Sequence, residues 1–164
     1  MTSDTLTVLA ALAGARLKKG GHMLAAAESC TGGWVASSIV SIAGSSDWFD
    51  RGFVTYSNGA KREMLGVLAT TIDDHGAVSE PVARAMAEGA IAHSAADVSL
   101  AITGVAGPSG GSPDKPVGTV CFGWARRGGA TDAVTIHFEG DRTEVRRQSV
   151  IFALQGLIER LEGE

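Results

Sequence analysis

Apolar residues recur along this chain at two spacings, helical and alternating, and the switches between them mark out its elements. From about Asp4 to Lys19, the residues Leu6, Leu9, Ala10, Ala13 and Leu17 fall on one helical stripe. Lys18 and Lys19 suit the negative end of that helix, and Gly20-Gly21 ends it. Met23 to Ala27 is an apolar run short enough for a strand. Trp34, Val35 and Ile39 then return to helical spacing as far as about Ser41. Ala43 to Asp47 is a loop by composition. The stretch Gly52 to Ser57 has the β-branched and aromatic density of a strand, which places Tyr56 on it. Asn58 follows as the cap of a short helix carrying Lys61, Met64 and Leu65, closed by Gly66. Thr70 to Val78 is polar and irregular.

Ser79-Glu80-Pro81 is a helix start: a capping hydroxyl, an early acid and a proline in the first turn. The helix it opens is rich in alanine, with Val82, Ala83, Met86, Ala90 and Ile91 as its inner side. Val98 to Thr103 alternates as a strand does, and Gly104 to Pro116 is a loop with four glycines and three prolines. Two further strands, about Val117 to Ala125 and Ala133 to Phe138, are joined by a short glycine turn and form an antiparallel hairpin. A last helix starts at Asp141, with Glu144 at capping-box spacing and an inner stripe of Val150, Leu154, Leu157, Ile158 and Leu161. About four helices on about five strands predict an α/β fold. The expected architecture is a three-layer α/β/α sandwich around one mixed sheet. With no repeat and no linker, residues 1–164 are expected to form a single domain.

Composition narrows the function. The apolar content of 45% with 20% charged residues is ordinary for a soluble globular chain of 164 residues. A net charge of −4 speaks against nucleic acid as a partner, although a local basic patch still suffices for one phosphate. No apolar stretch approaches the length of a membrane span, and the start, with Asp4 early, does not read as a signal peptide. The two cysteines, 30 and 121, have neither metal-site spacing nor a disulfide framework and fit a reducing cytoplasm.

Four stretches carry candidate chemistry. The first, Glu28 to Gly33, reads as a strand end, a sharp turn and a helix start, with Ser29 and Cys30 as candidate nucleophiles. Thr31, Gly32 and Gly33 let the backbone turn and leave its N–H groups accessible beside the partly positive helix start. A serine there is also simply an N-cap in many proteins. The second is Tyr56 with Lys61. Their spacing of five, and the lack of a Gly-x-Gly-x-x-Gly after the first strand, exclude a nicotinamide-dinucleotide reductase. The third is the loop opened by Thr103, Gly104 and Gly107, which is either functional or a mobile crossing. It lacks the Gly-Lys-Ser/Thr ending of a nucleoside triphosphatase. The fourth is Phe138 to Arg142, with Arg146 and Arg147 one turn further; Arg142, a cation at a helix start, is placed either to meet an anion or to pair with Glu139 or Glu144. The histidines at 22, 75, 93 and 137 are scattered and form no catalytic or zinc pattern. Ser29 therefore needs another base. A lysine kept neutral by burial can serve, and Lys61 is the only lysine flanked by strand and helix signals.

Seven motifs then occur in order: Ala27-Glu-Ser-Cys-Thr-Gly-Gly33, Val54-Thr-Tyr-Ser-Asn58 with Lys61 and Leu65-Gly-Val67, Gly76-Ala-Val-Ser79, Ile102-Thr-Gly-x-Ala-Gly-Pro108, Lys115-Pro-x-Gly-Thr119 and Gly140-Asp-Arg142. Together they resemble the C-terminal domain family of the competence/damage-inducible protein CinA, over nearly the whole chain. That family includes stand-alone nicotinamide-nucleotide amidases. The resemblance implies hydrolysis of nicotinamide mononucleotide to nicotinate mononucleotide and ammonia, with no cofactor, no metal and a homodimeric assembly. It implies Ser29 as nucleophile, Lys61 as its base, and Tyr56, Thr103 and Arg142 lining the same site, with Tyr56 or Lys61 as the catalytic group that protonates the departing ammonia. Cys30, Thr31, Gly32 and Gly33 are expected around the oxyanion, and Gly104, Gly107 and Arg142 around the phosphate or ribose. Trp34 is bulkier than the small aliphatic residue the family leads one to expect there. The alternative is a nucleotide-binding or regulatory module of a competence or DNA-damage response, which has no need of an intact serine–lysine pair.

Overall fold

The computed structural model describes residues 2–162. Its element order is α1 (Thr2–Gly20), β1 (Leu24–Glu28), α2 (Trp34–Val40), β2 (Phe49–Val54), α3 (Asn58–Leu65), α4 (Ala69–His75), α5 (Glu80–Ala92), β3 (Val98–Gly104), β4 (Thr119–Arg126), β5 (Asp132–His137) and α6 (Arg142–Leu161), with a 3₁₀ turn at Ser45–Asp47. One five-stranded sheet runs in the order β2-β1-β3-β4-β5. β1 is parallel to both β2 and β3, while β4 runs antiparallel to β3 and β5, so the sheet is mixed. Helices cover both faces, as the sequence pattern predicts.

The two faces are filled differently because side chains alternate along each strand. One face presents Leu24, Ala26, Val98, Leu100, Ile102, Val120, Phe122 and Trp124 to α1, α2 and α6. The other is built of small residues: Ala25, Ala27, Ser99, Ala101, Cys121, Gly123 and Ala125. Small residues let the alanine-rich α5 lie almost on the sheet backbone. A Cβ at Gly123 would stand 2.6 Å from the Ala83 carbonyl oxygen. α3 is drawn in the same way, for a Cβ at Gly89 would meet the Leu65 carbonyl oxygen at 2.0 Å. That close packing is what sinks Lys61, on α3, beneath the surface.

Three local differences from the sequence reading bear on the site. β2 ends at Val54, where its pairing with Glu28 of β1 ends, so Tyr56 lies in the turn beyond the strand and not on it. Ser57, not Asn58, caps α3: its hydroxyl accepts from the Ala60 N–H at 3.0 Å. The stretch read as irregular holds α4, whose β-branched and acidic residues have little helical propensity of their own; Ile72, buried against α5, anchors it. The observed helices therefore number six among the described residues instead of about four. No helix of the described residues is long and apolar enough to cross a membrane.

Candidate active site

The strand order 2-1-3 makes the carboxyl end of β1 the point where connections diverge. β1 leads to β2 through α2 on one face, and β2 leads to β3 through α5 on the other. A crevice opens at such a switch point. Here it is a cavity of about 350 Å³ lined by residues following β1, β2 and β3 and by the start of α6. That volume lies in the range of about 300–1,000 Å³ usual for small-molecule sites.

Ser29, the first residue beyond β1, opens onto this cavity. Its backbone is pinned by an N–H donated to the Ile102 carbonyl at 3.0 Å. Lys61 reaches the same point from α3, with Nζ 3.0 Å from Ser29 Oγ, 3.1 Å from the Thr55 carbonyl and 3.1 Å from the Tyr56 carbonyl. The side chain is buried, with only 1% of the residue exposed. Burial holds its pKa below the ordinary lysine value of 10.5. The three acceptors match the three N–H bonds of an ammonium. A neutral amine keeps two of those bonds on the Thr55 and Tyr56 carbonyls and turns its lone pair to the Ser29 hydroxyl. In the charged state the Ser29 O–H has the Tyr56 carbonyl, 3.4 Å away, as its own acceptor. The hydroxyl proton thus has an acceptor in either state of the lysine. Cys30, the second candidate nucleophile, is buried, which pushes its thiol up to about 11 and keeps it protonated.

The helix start behind Ser29 differs from the sequence expectation. α2 has Gly33 at its N-cap position with no side-chain cap. The Glu28 carboxylate, 1% exposed, fills that role from the end of β1, accepting from the Val35 and Ala36 N–H groups at 3.0 and 3.1 Å and from the Thr31 hydroxyl at 2.6 Å. The first-turn donors of α2 are therefore already occupied. The donors that remain lie earlier, in the turn itself. Ser29 C=O accepts from Gly32 N–H at 3.1 Å, closing a turn whose two central N–H groups, Cys30 and Thr31, donate to no other residue among those described.

The rim is made by three other stretches. Arg142, the first residue of α6, donates to the Gly107 carbonyl at 2.8 Å and to the Tyr56 hydroxyl at 3.3 Å, joining the glycine loop to the Tyr56 turn. Thr103 is buried below the rim and donates to the Ala77 carbonyl at 2.9 Å. Lys115 holds the far side of the loop by donating to the His75 carbonyl at the C-terminus of α4, at 2.5 Å.

Of the residues singled out in the sequence, the fold gathers Ser29, Cys30, Tyr56, Lys61, Thr103, Gly104, Gly107 and Arg142 around one cavity. Thr31, Gly32 and Gly33 stand behind the wall: Thr31 is buried on Glu28, and Gly33 leads into α2. Sequence reasoning assigned no site role to Asn58, Glu28 or Arg146. Asn58 lines the cavity, and its side chain makes no hydrogen bond among the described residues because Ser57 has taken the capping position. Glu28 was legible as the one acid ending a buried apolar strand. Arg146 touches the Ser29 turn from 116 positions away, a contact no local signal gives.

The fold and site define an α/β protein with a buried serine–lysine pair at the carboxyl end of its parallel strands, an arrangement suited to acyl transfer. Residues 6–161 match the CinA C-terminal domain, and the chain belongs to that family. It is 53% identical over 157 residues to the nicotinamide-nucleotide amidohydrolase PncC of Escherichia coli K12, covering 96% of this chain and 95% of the relative. It is 50% identical over 143 residues to a CinA-like protein of Mycolicibacterium vanbaalenii, where the match spans 87% of this chain and 34% of the longer protein. Among solved structures, the competence/damage inducible protein CihA from Agrobacterium tumefaciens superposes with a TM-score of 0.92 at 44% identity, over 94% of each chain.

Proposed function

We propose that this chain is a nicotinamide-nucleotide amidohydrolase, converting nicotinamide mononucleotide and water to nicotinate mononucleotide and ammonia. The observation that carries the reading is the buried Lys61 Nζ, 3.0 Å from Ser29 Oγ with its other partners both carbonyls. A module that only binds nucleotides has no use for a buried lysine held below its ordinary pKa.

In this reading neutral Lys61 takes the Ser29 proton as Oγ attacks the carboxamide carbon. The oxyanion lies against the unoccupied Cys30 N–H, a good donor of this kind contributing about 3 kcal/mol. The ammonium of Lys61 returns its proton to the departing nitrogen, the C–N bond breaks, and ammonia leaves a Ser29 ester. Water then attacks the ester, giving its proton to Lys61, and as the intermediate collapses the Lys61 ammonium returns that proton to Ser29 Oγ, freeing the acid and restoring the pair. Tyr56 serves through its carbonyl on Lys61 and as a wall of the cavity. Arg142, Asn58 and the loop of Thr103, Gly104 and Gly107 receive the ribose and phosphate. Cys30 supplies an N–H donor, while Thr31, Gly32 and Gly33 shape the turn that presents it. We place the reaction in the cytoplasm, on the cysteine usage, and take the working form as a homodimer, on the family resemblance. Ammonia release from nicotinamide mononucleotide is the test. Turnover by the wild type and none by a folded Ser29→Ala protein is the expected result; equal turnover by both would overturn the reading.

A further inference from the structure

Arg146 lies one turn beyond Arg142 on α6, and its guanidinium points away from the cavity toward the back of the Ser29 turn. Nε donates to the Cys30 carbonyl at 2.9 Å and Nη2 to the Thr31 carbonyl at 3.1 Å. The group is packed against the Trp34 ring, 5.4 Å from its centroid. Two carbonyls consecutive in the chain are thus held by one rigid fork, which a single-point ammonium cannot do.

The consequence follows from peptide geometry. In a trans peptide the C=O and the following N–H point in opposite directions. The Thr31 carbonyl is drawn to Arg146 on one side, so the Gly32 N–H points to the other, onto the Ser29 carbonyl. That contact holds the Ser29 carbonyl and so sets the direction of the Cys30 N–H in the same way. Every carbonyl from Ser29 to Thr31 therefore has a partner, and the Cys30 N–H, which donates to no other residue among those described, is fixed in direction. We infer that Arg146 is a positioning residue for acyl transfer, locking the Cys30 N–H beside Ser29 in the orientation that receives an oxyanion. The guanidinium charge also favours an anion at this turn: among the influences on the Cys30 thiol, Arg146 acts to lower its pKa. Trp34 is the platform that keeps the fork in place.

This inference rests on the amidase reading for its substrate but not for its test. Wild type, Arg146→Ala and Arg146→Lys are compared in ammonia release from nicotinamide mononucleotide and in the rate at which a fluorophosphonate labels Ser29. The phosphonyl oxygen of that probe needs the same donor, whatever the natural substrate. Positioning predicts a fall in kcat of about 10- to 100-fold with KM changed less than about threefold, the cost of a small misplacement in the reacting geometry. It predicts a matching fall in the labelling rate, and partial rescue of Arg146→Ala by added ethylguanidinium. Arg146→Lys, which keeps the charge without the fork, stays closer to Arg146→Ala than to wild type. If Arg146→Ala fails to fold, Arg146→Lys decides. Unchanged kcat and labelling rate in Arg146→Lys overturn the inference, as does a rise in KM with kcat intact. An inactive wild type that still labels with fluorophosphonate would sink the amidase reading alone and leave the comparison of labelling rates to judge Arg146. A wild type that neither releases ammonia nor labels would remove Ser29 as nucleophile and the inference with it.

Discussion

The cavity holds two cations in opposite surroundings. Lys61 is buried at the base, its ammonium facing two carbonyls and a hydroxyl, and its pKa lies below the ordinary value. Arg142 stands exposed at the rim, its guanidinium shared between the Gly107 carbonyl and the Tyr56 hydroxyl. Burial disfavours charge, so the base of the cavity selects the cation able to give up its proton. The rim can keep an arginine charged at all working pH. In the proposed mechanism the contrast divides the labour of the site: proton transfer below, anion binding above.

The substitution that breaks this contrast most severely is Lys61→Arg, which puts a permanent charge where a neutral amine is needed. Loss of a general base costs about 10²–10⁴-fold in rate, so Lys61→Arg and Lys61→Met should be comparably inactive in ammonia release. Substantial activity in a folded Lys61→Arg protein would make the lysine an electrostatic anchor only. Next in size is Arg142→Ala. A charged hydrogen bond contributes roughly 1.5–3 kcal/mol, so affinity for the 5′-phosphorylated nucleotide should drop about ten- to hundredfold by calorimetry. The dephosphorylated riboside should bind the variant and the wild type nearly alike. Equal losses for both ligands would move the phosphate away from Arg142. The smallest effect is expected of Cys30→Ala, because a thiol pushed up to about 11 takes no part at neutral pH and the backbone N–H survives the change. Its kcat should stay within about threefold of wild type, the scale of a substitution that leaves the reacting geometry in place.

The same division explains what the sequence disclosed. Periodicity placed the strands and the long helices because α1, α5 and α6 each bury an apolar stripe. It missed α4, whose single buried anchor, Ile72, is too little to make a period. It carried the second strand three residues too far, since Thr55 and Tyr56 are strand-like by type; what stops the strand is the end of its pairing with β1. Ser29 and Lys61 were legible as a chemical pair because no histidine offered itself, and the family motifs pointed to the same residues. Glu28 was quoted in a motif without a role. Only the fold shows that its carboxylate occupies the α2 donors and leaves the Cys30 N–H of the turn as the one available. Arg146 was out of reach, since nothing near it in the chain announces a contact with Cys30 and Thr31.

The account turns on one physical quantity, the proton affinity of Lys61, and the direct measurement is a ¹⁵N titration of its Nζ by NMR. Burial favours the neutral amine, so the midpoint should fall below 10.5. The sign for catalysis follows: the neutral form is the base, so kcat/KM should rise with pH through that same midpoint and level off before the ordinary lysine range. A midpoint at or above 10.5 would mean that Lys61 stays charged at neutral pH and cannot be the base that activates Ser29.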